Sequence, residues 1–229
     1  MNRFFISNIL VGCLFLFAAT AWAQNFQSDL KKTFDHYHQS ENYHISVLMD
    51  VRMKSDEKAS FYQREYTIAK KGTSYFYKMD NMHVLMTEDK MLSIYPLEKK
   101  VLCKDIKKSE YQTLLKQFNS FNMDSLIQKY DSLVYKGSVG GIKQYTIYSG
   151  NRMIERVDLF LKGSRFDQII YHYGPLGNGV GKVHIRFSEK SEPMGEENFN
   201  LFTYLKKGAK ISLSDAYRHY NLIIIDDEM

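Results

Sequence analysis

The chain has 229 residues, 44% of them hydrophobic and 25% charged, with a net charge of +5 at pH 7. Acidic and basic residues are interleaved along it, which excludes the one-sided basic footprint of a nucleic-acid binder. Its cysteines are Cys13 and Cys103, too few for a disulfide scaffold.

The first 23 residues read as a secretory leader. Arg3 supplies a positive start, Phe4–Ala19 is an apolar run broken only by Ser7 and Asn8, and Ala21-Trp22-Ala23 has the small-x-small form of a cleavage site. The expectation is cleavage after Ala23 and a periplasmic or secreted product without a transmembrane span. Leu10-Val11-Gly12-Cys13 has the form of a lipidation box, but the chain continues as LFLFAATAWA rather than as a polar tether, so lipid anchoring at Cys13 is the weaker reading. Cys103 is then the remaining thiol, set in a predicted strand as a small buried hydrophobe.

Asn25 to Gln39 places Phe26, Leu30, Phe34 and Tyr37 at helical spacing and predicts an amphipathic helix. From Tyr43 to Lys54, Tyr43, Ile45, Val47, Met49, Val51 and Met53 alternate with His44, Ser46, Leu48, Asp50 and Arg52, which predicts a strand with one dry face. A second strand follows at Ser60–Lys70, and Lys71-Gly72 turns the chain. Thr73–Met79, Met82–Thr87, Met91–Tyr95 and Val101–Ile106 are short apolar runs with two- to five-residue gaps, too short for parallel crossovers. They predict an antiparallel meander.

Ser109-Glu110-Tyr111-Gln112 has the form of a capping box, followed by Leu114, Leu115 and Phe118 at helical spacing. A second short helix is predicted after Asp124. Strands resume at Leu133–Ser138, Ile142–Tyr148, Met153–Leu161, Arg165–Tyr173 and Lys182–Ser188, joined by Gly140-Gly141, Gly150-Asn151 and Gly163-Ser164 turns. Tyr220–Ile225 is a candidate closing strand before Asp226-Asp227-Glu228. No Pro-, Gly- or Ser-rich linker divides the chain, so residues 24–229 read as one domain, mainly β with helical insertions (α+β).

Catalytic motifs are missing from the sequence. The glycine-rich GPLGNGVGK, Gly174–Lys182, lacks phosphate-loop spacing and leads into a strand. No serine-elbow, zincin or CxxC pattern occurs, and the seven histidines are scattered. His172 in a predicted strand reads as structural, and Asp50 and Glu65 as a possible cross-strand pair. The reading is therefore not an enzyme, with no cofactor and no metal. The positive signal is excess apolar strand surface, rich in methionine, since a contiguous exposed patch above roughly 300–600 Å² marks a binding site.

The order of leader, amphipathic helix, two long strands, tight meander, helical insertion and second meander resembles the periplasmic outer-membrane lipoprotein carriers of the LolA/LolB-like fold. The local match is Val84–Pro96, which resembles the family's strand, acidic turn, strand and aromatic-proline turn. Where that family carries Arg-Pro after its second long strand, this chain has Lys71-Gly72, and it has no tryptophan after Trp22. The resemblance implies an incomplete barrel, a curved antiparallel sheet plugged by helices, that holds a lipid or lipoprotein acyl chain. The expected lining is Ile45, Val47, Met49, Val51, Tyr75, Tyr77, Val84, Met86, Leu92 and Ile94. The alternative is an envelope assembly module of the same fold that binds a protein partner and no small ligand.

Overall fold

A computed structural model describes residues 25–119, 130–150, 153–208 and 210–225. The leader, the short helix predicted after Asp124 and the acidic stretch 226–228 lie outside them. Helix α1 covers residues 25–39. Six strands follow: β1 (Asn42–Met53), β2 (Tyr62–Lys71), β3 (Ser74–Met79), β4 (Met82–Met86), β5 (Lys90–Tyr95) and β6 (Lys100–Asp105). Helix α2 (Lys108–Asn119) precedes β7 (Tyr130–Val139), β8 (Ile142–Ser149), β9 (Ile154–Lys162), β10 (Arg165–Tyr173) and β11 (Val180–Glu189). Short helical turns then lead to β12 (Asn221–Ile225). Helix α2 starts one residue before the predicted capping box, with the Lys107 carbonyl accepting from Tyr111 N–H.

All twelve strands form one curved, unclosed sheet in the order β12-β6-β5-β4-β3-β2-β1-β11-β10-β9-β8-β7. Each hairpin of the two meanders is antiparallel, as the short gaps require. Long β1 joins the meanders by pairing with β2 on one side and β11 on the other. Among the described residues the β12–β6 pair alone is parallel, and residues 106–220 intervene. Strand β12 is therefore an added edge and closes nothing, because the other edge is β7.

Which residues share a face follows from the registers, since directly opposed residues point the same way. One face carries Met49, Ile185, Ile169, Leu159, Tyr145 and Tyr135 in a row from β1 to β7. Helix α1 lies on this row: Phe26 and Leu30 are buried among Tyr145, Ile147, Val157, Leu159, Leu161 and Ile169. A bulge between Phe166 and Gln168 brings Phe166 to the same face as Ile169. On that same face beyond β1, Tyr75 and Met86 pack with Ile106 and with Tyr111 of α2. We call this the helix-bearing face.

On the opposite face the core moves to the other end of the sheet. Phe76, Leu85, Leu92, Ile94, Val101 and Cys103 are buried under Tyr204 and Leu205, with Phe199, Leu213 and Tyr217 packed around them. The sheet is thus apolar on one side at β7–β11 and on both sides at β3–β6. Cys103 is 1% exposed, the buried small hydrophobe that its neighbours imply.

Candidate functional site

The candidate wall begins with the alternation of β1. Register carries Ile45 to Ile68, Tyr77 and Val84 across β1–β4, and Val47 to Tyr66, Met79 and Met82. The row on the other side of Ile45 runs Tyr43, Lys70, Tyr75 and Met86. At 4.7–4.9 Å per strand, four strands give a wall roughly 14 Å across. Eight of the ten expected lining residues, Ile45, Val47, Met49, Val51, Tyr75, Tyr77, Val84 and Met86, lie on this helix-bearing face.

Leu92 and Ile94 do not. They pair with Leu85 and His83 and point to the opposite face, where they belong to the core beneath the C-terminal segment. The expected phase of β5 is thus corrected: Met91 and Ser93 are its helix-bearing residues, opposite Met86 and Val84. Apolar residues stand on both sides of this strand, so its pattern does not reveal which side faces the helices. The Asp50–Glu65 pair is likewise corrected, because Asp50 opposes Gln63 and Glu65 opposes Leu48.

The eight wall residues differ in cover. Met86 and Tyr75 are fully packed, Ile45, Val47 and Val84 are buried, and Met49, Val51 and Tyr77 are half-buried. Burial pushes the Tyr43 and Tyr77 phenols well above the ordinary tyrosine value, with neighbouring tyrosines adding to it. Both stay neutral at physiological pH, so the Ile45 row carries no charge, whereas the neighbouring row holds Lys70 between Tyr43 and Tyr75. Charged groups stand at its margins: Arg64 pairs with Asp80, and Lys104 with Glu110 at 2.6 Å.

Two polar anchors that the sequence pattern does not announce hold α1 in place. Asp29 accepts from Lys143 Nζ at 2.7 Å and from Tyr145 Oη at 2.5 Å. Burial opposes ionisation of Asp29, but these two bonds and the lysine charge outweigh it and hold its pKa below 3.8. At the other end, Lys70 Nζ donates to the carbonyls of His38 (2.9 Å) and Ser40 (2.7 Å), the last turn of the helix and the link to β1. A lysine on a strand's apolar side is the one sequence signal of it. A hollow of about 210 Å³ lies beside the first anchor, lined by Asn25, Tyr135, Lys143 and Tyr145.

Beyond the wall, titratable groups cluster on the opposite face. Asp158 accepts from Thr146 Oγ1 at 2.7 Å and lies 2.8 Å from His172 Nε2, with Arg156 at 3.4 Å. His172 is thereby tied into a structural network, as its strand setting implied. Among the described residues no group of three or more His, Cys, Asp or Glu is placed to hold a metal ion. Nor is any helix among them long and apolar enough to cross a membrane.

No family model matches the chain, and no curated protein matches it. Solved structures similar to it include an uncharacterized conserved protein from Thermus thermophilus, at 10% identity and TM-score 0.42, covering 89% of this chain and 99% of that one. A LolA superfamily protein from Nitrosomonas europaea aligns at 11% identity and TM-score 0.33, over 76% of this chain and 96% of that one. MucB aligns at 12% identity and TM-score 0.35, over 82% of this chain and 64% of that chain. MucB in complex with MucA(peri) gives 12% and 0.33, over 84% and 62%. The relationship to the LolA superfamily protein and to MucB is remote.

Proposed function

We propose that the protein is an exported, non-catalytic binding protein that holds an acyl chain or a similar flexible apolar ligand against the helix-bearing face of β1–β4. The observation that carries this reading is the uncharged row Ile45, Ile68, Tyr77 and Val84, flanked by Val47 and Met86, on an unclosed sheet. Helices α1 and α2 pack on either side of that row, α1 towards β7–β11 and α2 at Tyr75 and Met86. The leader-like residues 1–23 support export, and a mature mass beginning at Gln24 tests it. Native mass spectrometry of protein purified without detergent is expected to show a co-purifying lipid.

Chain length makes the test sharper. Burying each methylene contributes about 0.8 kcal/mol, close to a fourfold gain in affinity. Displacement of a fluorescent fatty acid by a C10–C16 series is expected to follow that slope until the wall is filled. No co-purifying lipid together with no binding of the probe would overturn the proposal. A second reading, an assembly module without a small ligand, is favoured by the exposed isoleucines of β12. Recovery of a stoichiometric protein partner from lipid-free protein would support it.

A further inference from the structure

A lysine is out of place inside a wall of apolar and aromatic side chains. Lys70 is 9% exposed and stands on the helix-bearing face between Tyr43 of β1 and Tyr75 of β3, each directly opposed to it. An ammonium carries three donors. Two go to the carbonyls of His38 and Ser40, and the third meets no acceptor among the described residues. The Tyr75 ring centroid lies 5.7 Å from the nitrogen. Among the same residues Lys70 makes no ion pair. Burial holds its pKa below 10.5, and the charge of Glu41, on the exposed turn before β1, offsets this only in part. A buried cation is costly unless an anion answers it, and backbone carbonyls carry only partial charge.

The side chains around this nitrogen are phenols. Tyr43 packs edge-on against Tyr37 of α1 with ring centroids 5.8 Å apart, and Tyr75 stacks with Tyr77 at 6.5 Å. The Tyr43 hydroxyl makes no hydrogen bond among the described residues. Burial, with Tyr75 and Tyr37 beside it, keeps that hydroxyl protonated and therefore a donor. A buried ammonium with a spare N–H and a phenol with an unused O–H thus stand on opposed residues of neighbouring strands. Their row lies two residues along each strand from the Ile45 row, about 7 Å away. An acyl chain lying on the Ile45 row ends within reach of both donors.

We propose that the Lys70 ammonium and the Tyr43 hydroxyl bind the carboxylate of the acyl ligand, so that the preferred ligand is an ionised fatty acid. An ester, amide or alcohol of the same chain then binds less tightly. This inference rests on the acyl-chain reading given above and narrows it. One positive charge matches a monoanionic carboxylate, and charge-assisted hydrogen bonds are about twice as strong as neutral ones.

Displacement of the neutral dye N-phenyl-1-naphthylamine by decanoic acid and by decan-1-ol at neutral pH compares two head groups on one chain length. Hydration of the carboxylate makes the acid the weaker ligand for a purely apolar wall. With the Lys70 site the acid is expected to be the tighter by about tenfold, the effect of hydrogen bonds to a charged group. Lys70→Met is expected to reverse the order, leaving decan-1-ol the tighter ligand. Tyr43→Phe leaves both carbonyl bonds of Lys70 in place and is expected to narrow the preference for the acid by roughly threefold. It carries the test should Lys70→Met fail to fold. Decan-1-ol binding as tightly as decanoic acid, or an acid preference unchanged in either folded variant, would overturn this proposal and leave the acyl-chain reading standing. Displacement by neither compound would overturn the two together.

Discussion

Asp158 shows how a buried charge is tolerated in a sheet this apolar. Burial alone raises the cost of its ionised form, yet hydrogen bonds from His172 and Thr146, with the Arg156 charge behind them, hold its pKa below 3.8. Asp50 follows the same pattern: burial opposes it, Ser60 and Arg52 outweigh burial, and its pKa is lowered too. A carboxylate whose folded pKa lies below its unfolded one contributes stability that is complete above the unfolded value. That contribution is lost as the pH falls through the folded value. Urea denaturation midpoints are therefore expected to be flat near neutrality and to fall steeply below about pH 4. Asp158→Asn is expected to lower stability by about 1–3 kcal/mol at pH 7 and to flatten that acid limb. The Asp158 network is not legible in the sequence, because β8, β9 and β10 meet only after pairing. The one cross-strand pair the sequence suggests, Asp50 with Glu65, misses the true partner Gln63 by two positions.

At the scale of elements, α1 is fastened at both ends and packed along its length. Truncating Phe26, which is fully buried against Tyr145 with ring centroids 5.0 Å apart, is expected to cost about 3–5 kcal/mol in chemical denaturation. Lys70 is a separate matter, because its ammonium satisfies carbonyls at the helix end and favours the negative pole there. Lys70→Ala is expected to cost about 1–2 kcal/mol, with faster amide hydrogen exchange concentrated in residues 25–39. The helix itself is plain from the spacing of Phe26, Leu30, Phe34 and Tyr37, and β1 from its strict alternation. The anchors are not, because Asp29 and Lys143 stand 114 positions apart and nothing local couples them.

Across the sheet, apolar surface stands on both sides of β3–β6 and on one side of β7–β11. Local periodicity reveals strands and turns well, so the meanders are legible almost residue by residue. It does not say which apolar side of a strand meets which cover. Leu92 and Ile94 lie opposite to the expected side because their cover, Tyr204, Leu205 and Tyr217, comes from far downstream in the chain. Removing everything after Glu189 is expected to uncover Phe76, Leu85, Leu92 and Ile94 together. Hydrophobic dye binding should then rise sharply, and the shortened chain should aggregate where the intact one does not.

The parallel β6–β12 pair carries a consequence for synthesis. Residues 106–220 separate the two strands, and a ribosome adding about 5–20 residues per second needs on the order of 10 s to deliver them. Until those residues are made, β6 has β5 on one side while β12, its partner on the other, does not yet exist. A nascent chain at this stage offers a naked ladder of amides to any neighbour, and a holding chaperone has a defined target there until translation ends.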